Sequence, residues 1–154
     1  MTKLTEDMRR VLEEQRLGFI ATVCPDGTPN LSPKGTTAAW DDEHLIFADV
    51  RSPQTIENLR ANPALEINVV DVTLRKGYRF KGTATVLHEG PLFNTIVEFY
   101  MQRGSLSRII HVVLMKVEHA SVLTSPAYDQ GLSETDVAER WERHWDALRS
   151  RRKH

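Results

Sequence analysis

Five residues, Pro25-Asp26-Gly27-Thr28-Pro29, separate two runs of strand-forming residues and so dictate how the chain continues. Pro and Gly supply the dihedrals of a tight reversal, and Asp can hydrogen-bond to its own backbone two residues on. The run before the turn, Phe19 to Cys24, is rich in strand formers and reads as a buried strand. The run after it, Asn30 to Trp40, is expected to return antiparallel. Pro33 and Gly35 break regular pairing there: Pro removes a ladder donor, and Gly lets backbone approach a ligand closely. Asp41-Asp42-Glu43 turns the chain again, into a strand over Leu45 to Val50.

The same rhythm runs through the rest of the chain. Thr5 can cap a first helix, with Glu6 and Asp7 complementing its positive end, and Gly18 suits its stop. A short helix follows Ser52 or Arg51, with Pro53 near its first position, Ile56 and Leu59 inward, and Asn62-Pro63 as its end. Ala64 to Val72 is another strand. Tyr78 to Leu87 alternates, with Tyr78, Phe80, Gly82, Ala84 and Val86 on one face and Arg79, Lys81, Thr83 and Thr85 on the other. Glu89-Gly90-Pro91 opens a helix striped by Phe93, Ile96, Val97 and Tyr100, and Ile109 to Val117, extended to Leu123, is a further strand. Ser133 with Asp136 forms a variant capping box for a last helix, where Val137, Trp141, Trp145 and Leu148 share one face. Arg149 to His154 reads as a frayed basic tail. The order of elements is that of an α+β protein centred on a β-barrel. It is expected to be one domain over 1–154, with a core over about 17–123 and a C-terminal helix over about 133–150.

Bulk properties exclude several functions. Lys and Arg number 20 against 21 Asp and Glu, which gives no electrostatic basis for a nucleic-acid partner. One cysteine, Cys24, leaves no internal disulfide, and no apolar run has the length of a membrane span. The N-terminal residues have no signal-peptide core, so a cytoplasmic location is expected. Gly-rich nucleotide loops, the dinucleotide fingerprint and the nucleophile elbow are absent. The six histidines lack metal-ligand spacing, including the pair His111 and His119, so no metal site is expected.

Two clusters carry the chemistry. Lys34 comes with Ser32, Thr36 and Thr37, and Arg51 comes with Ser52 and Thr55 at the start of the short helix. Cations, hydroxyls and free helix N–H groups are what a phosphate requires. The pattern alone supports an anion site and nothing finer.

The chain from about 17 to 123 resembles the FMN-binding split-barrel family of pyridoxamine 5′-phosphate oxidases and small FMN-binding proteins. The resemblance rests on an ordered series: Gly18-Phe19-Ile20-Ala21-Thr22, Asp26-Gly27-Thr28-Pro29, Asn30-Leu31-Ser32-Pro33-Lys34-Gly35 and Leu45-Ile46-Phe47-Ala48-Asp49. Ser52-Pro53-Gln54-Thr55 with Asn58-Leu59, Asn62-Pro63, and Tyr78-Arg79-Phe80-Lys81-Gly82-Thr83-Ala84 complete it.

This resemblance implies a six-stranded antiparallel split β-barrel with flanking helices, and a homodimer with FMN at the subunit interface. By position, Lys34 neutralises the FMN phosphate, with Ser32, Pro33, Gly35 and Thr36 around it. Ser52, Gln54 and Thr55 form the second phosphate segment. Relatives often carry a cation where Pro53 and Gln54 stand, a role open to Arg51. Ala48, Asp49 and Val50 meet the polar edge of the isoalloxazine ring. Arg79 and Lys81 either reach flavin or substrate from the partner chain or belong to an exposed barrel face. The family's substrate-phosphate segment, with its Arg and His, is absent, and Trp141 and Trp145 stand either for packing or for a cover over the ring. The expected function is an FMN-dependent oxidoreductase acting on an unidentified small molecule, with no catalytic residue assigned. The alternatives are a non-catalytic flavin-binding or electron-carrier protein, and an F420-dependent reductase or a haem protein on the same barrel.

Overall fold

The computed structural model describes residues 3–153. Met1, Thr2 and His154, which the sequence reading assigns to the N-terminal segment and the basic tail, lie outside the described residues. Among the described residues four α-helices and seven strands follow in the order α1 Glu6–Gln15, β1 Gly18–Val23, β2 Pro29–Lys34, β3 Ala38–Ala39, β4 His44–Asp49 and α2 Pro53–Ala61. Next come β5 Ala64–Asp71, β6 Lys76–Leu87, α3 Pro91–Gln102, β7 His111–Thr124 and α4 Glu134–Arg152. Every strand pair is antiparallel, in the order β2-β1-β5-β6-β7-β4-β3.

The sheet is a split barrel, with the strand count one higher than the six expected. The chain after Lys34 breaks at Gly35–Thr37, and what reads in the sequence as one strand becomes β2 and the two-residue β3. The break lies after Pro33, not at it. Pro33 stays in register opposite Phe19, because β2 is an edge strand whose missing donor leaves no ladder partner unsatisfied.

One core fills the concave side of the sheet. Ile20, Phe47, Ile67, Phe80, Val113 and Met115 meet Leu12 of α1 and Ile56 and Leu59 of α2. A second, smaller core on the other side of β4 joins Ala38, Ile46, Ala48 and Val112 to Ile96 and Tyr100 of α3. Strand β4 is therefore covered on both faces, which explains its unbroken apolar run. Strand β6 pairs along its whole length with β7, from Lys76 opposite Thr124 to Leu87 opposite Val112, with a register shift between Lys81 and Gly82. At Gly82 a Cβ would fall 1.8 Å from the Lys116 carbonyl oxygen, so the close approach of β7 requires glycine.

Two helix ends differ from expectation. Helix α1 stops at Gln15 through Arg16 in the left-handed region at φ 51°, while Gly18 begins β1. The basic segment from Arg149 continues α4 as regular helix to Arg152, its cations complementing the negative end of the dipole. The capping box at Ser133 and Asp136 is formed as expected.

Candidate functional site

The site is built where three chain segments converge at the ends of β2 and β4. Lys34 closes β2, Asp49 closes β4, and Ser52 caps α2. The Lys34 ammonium donates to Ser52 Oγ although the two are 18 residues apart. Only 8% of Lys34 is exposed, and no carboxylate lies within ion-pair distance of it among the described residues. Burial pushes its pKa below the usual lysine value, opposed in part by the charge of Asp49. A half-satisfied buried ammonium beside a hydroxyl is a ready seat for an anion.

Asp49 organises the other side. It is 3% exposed; Oδ1 accepts the Ser52 backbone N–H at 2.6 Å, and Oδ2 lies 3.1 Å from His111 Nδ1. Asp49 thereby fixes the N-cap residue itself and leaves the first-turn amides, which the Ser52 side chain does not cap, without a side-chain acceptor. The α2 N-terminus has Pro53 in its first turn and no side-chain cap from Ser52, so the amides of its first turn remain open to an anion.

The other expected residues divide into groups. Ser32 faces the same side of β2 as Lys34, two residues away. The Thr36 hydroxyl accepts from Ala48 N at 2.9 Å, tying the loop after β2 to β4, and Tyr100 donates to Thr36 O at 2.7 Å. Gln54 turns along α2 and donates to Asn58 Oδ1 at 2.8 Å, while Asn58 donates to Thr22 Oγ1 at 3.0 Å. Thr55 is buried, and Arg51 and Val50 are exposed beside Ser52. Arg79 and Lys81 point to the convex face of the sheet, so one chain does not bring them to Lys34; Arg79 pairs with Glu66 at 2.5 Å. Trp141 lies under the Arg75 guanidinium, 3.6 Å from its ring centroid, and so packs on the β5–β6 turn of its own chain.

One residue of this region enters the sequence reading only as half of the dismissed metal pair with His119. His111 is the first residue of β7 and stands opposite Asp49 in the ladder. The two are 62 residues apart in the chain, so no local spacing connects them. Among the described residues no group of three or more His, Cys, Asp and Glu side chains could hold a metal ion.

Comparison with known proteins settles the lineage. Residues 4–124 match the family model described as Pyridoxamine 5′-phosphate oxidase. The chain belongs to this family. The crystal structure of HupZ from Group A Streptococcus is 32% identical over 79% of this chain and 95% of its own, with a TM-score of 0.72. An uncharacterized protein of Methanocaldococcus jannaschii, MJ0282, is 33% identical over 92 residues, which are 58% of this chain. The match spans 60% of that relative's length. Two more distant structures share the fold: an FMN-binding protein from Syntrophomonas wolfei, at 16% identity over 78% of this chain and 86% of its own with a TM-score of 0.67, and an F420 reductase, at 24% identity over 77% and 98% with a TM-score of 0.61. Among the described residues no helix is long and apolar enough to cross a membrane.

Proposed function

We propose that this pyridoxamine 5′-phosphate oxidase family member binds FMN and acts as an FMN-dependent oxidoreductase on a small molecule. The observation that carries the reading is the buried Lys34 ammonium, held by Ser52 Oγ with no carboxylate in ion-pair contact among the described residues. An unpaired buried cation is costly without an anion to meet it, and a phosphate at this point would also reach the open end of α2. Donor chemistry therefore fits a phosphomonoester: one ammonium, the Ser32 and Ser52 hydroxyls, and backbone N–H groups.

Bound FMN supplies reversible redox chemistry at its ring. The chain's own residues bind and orient it. Lys34 and Ser52 fix the phosphate end, Asp49 locks Ser52 in place, and Thr36 and Tyr100 hold the loop after β2 against β4. The backbone of Ala48, Asp49 and Val50 is the proposed neighbour of the ring's polar edge. Arg51, exposed beside Ser52, is the proposed second phosphate cation in place of Gln54, whose amide is engaged by Asn58.

The proposed assembly is a homodimer. Phe19, Val23 and Leu31 leave the convex face of β1 and β2 apolar, and Leu31 is 65% exposed. Covering this face with a second copy would bury it and bring the exposed Lys81 toward the cofactor of the other subunit. F420 on the same barrel is the second reading, favoured by the F420 reductase among the structural neighbours. Reconstitution separates them: retention of FMN with saturable affinity supports the first reading, and retention of F420 alone refutes it.

A further inference from the structure

Lys34 and Asp49 carry opposite charges and bind the same residue from two sides. The Lys34 ammonium donates to Ser52 Oγ, and the Ser52 backbone N–H donates to Asp49 Oδ1 at 2.6 Å. Both residues are buried. Opposite charges attract strongly where water is scarce, so an ammonium and a carboxylate joined to one serine are expected to close on each other. They do not. Among the described residues Asp49 pairs with His111, at 3.1 Å, and not with Lys34.

The reason lies on β7. His111 stands opposite Asp49 in the β4–β7 ladder, and the Ile110 N–H donates to Asp49 O at 3.1 Å, which fixes the two strands at this level. Asp49 Oδ2 is an acceptor, so His111 Nδ1 carries the proton and donates to it. That leaves Nε2 as an acceptor for Arg60 Nη2 at 3.3 Å, from the last turn of α2. The imidazole is braced on its far side, and the carboxylate has one oxygen on Ser52 N and the other on the ring. Turning either oxygen to Lys34 would break one of these bonds. An Asp opposite a His is by itself an ordinary cross-strand pair. Its further consequence comes from the cation on the other side of Ser52.

We infer that His111 is a positioning residue that keeps the Asp49 carboxylate off the Lys34 ammonium, leaving that cation free for the phosphate of a bound ligand. Without the ring, Oδ2 has no donor, and a buried carboxylate oxygen so left is costly, so Asp49 turns to Lys34. The ammonium is then occupied from within the chain, and an incoming anion has to displace a carboxylate to reach it. His111 acts on Lys34 only through Asp49. The effect on phosphate rests on the proposed FMN reading, whereas the competition for Asp49 is a property of the chain alone.

The test compares the wild type with His111→Leu, His111→Asn, Asp49→Asn and the double variant His111→Leu/Asp49→Asn. Two quantities are read: the pH titration of the Lys34 ammonium by NMR in ligand-free protein, and the affinities for FMN and riboflavin. In His111→Leu the Lys34 titration moves to higher pH, since a carboxylate in contact favours the charged amine. FMN affinity falls about tenfold, the scale of one charge-assisted hydrogen bond, while riboflavin affinity is unchanged. In His111→Asn the amide nitrogen stands near the place of Nδ1 and donates to Asp49, so both quantities stay near the wild-type values. In the double variant the Lys34 titration moves down again, and FMN affinity equals that of Asp49→Asn alone. A Lys34 titration unmoved by His111→Leu, equal loss of both flavins, or a double variant that binds FMN no better than His111→Leu overturns the inference. Failure of the FMN reading itself appears differently: the wild type takes up no flavin, while the Lys34 titration still rises in His111→Leu and falls in the double variant.

Discussion

Lys34 and Ser52 meet as the ends of two segments that no local pattern joins, and the ammonium is buried with no carboxylate in ion-pair contact among the described residues. A cation so placed is better suited to a ligand than to the stability of the empty protein.

Lys34→Met should therefore separate binding from stability. Loss of a charge-assisted hydrogen bond to phosphate is worth about 1.5–3 kcal/mol, which corresponds to FMN affinity weaker by about 10- to 150-fold. Riboflavin, which has no phosphate, should bind to the variant nearly as it does to the wild type. Without ligand, the variant should melt at or above the wild-type temperature, since it removes a desolvated charge. Equal loss of both flavins, or a marked fall in melting temperature, would point to a folding role for Lys34.

The architecture was legible because turn chemistry and strand alternation agree from Pro25 to Leu123. Pro33 misled at the level of detail: its effect on pairing depends on whether β2 is an edge, which only the assembled sheet decides. Arg16 does what Gly18 was expected to do, because one residue of left-handed backbone is affordable where the chain must turn directly into β1. At the site, Lys34 and Ser52 could be named from their own clusters. Asp49 and His111 could not be paired in advance, since ladder register brings them together across 62 residues.

Alkaline pH should reveal Tyr78. Burial and its hydrogen bond to Asp7 push the phenol up to about 12 from its ordinary 10.0. A raised folded-state value means that the native protein holds its proton more tightly than the unfolded chain. The associated stability is complete below pH 10.0 and is lost as pH rises through about 12. Urea unfolding between those limits should show a steeper decline for the wild type than for Tyr78→Phe. Parallel declines would exclude Tyr78 as a contributor.

Gly82→Ala tests the β6–β7 bulge. The added methyl would overlap the Lys116 carbonyl oxygen, and backbone cannot yield as a flexible side chain does. The expected cost is about 3 kcal/mol or more, at the upper end of overpacking penalties, read as a shift in the denaturant midpoint. A midpoint within error of the wild type would show that the two strands can separate without cost.

Trp141→Ala addresses the C-terminal helix. The ring's stack on Arg75 belongs to the β5–β6 turn, and cation–π contacts of this kind contribute about 0.5–2 kcal/mol. A melting temperature lower by a few degrees with unchanged flavin spectrum and affinity is expected. An altered flavin spectrum would instead assign the helix to a cover over the cofactor.

The most direct measurement is the visible absorption spectrum of the purified protein after incubation with FMN and removal of unbound ligand, followed by mass analysis of what denaturation releases. The expected result is a flavin spectrum that stays with the protein and release of FMN at about one per chain, the usual one-site limit for a tight ligand. A colourless protein that retains no FMN would contradict it.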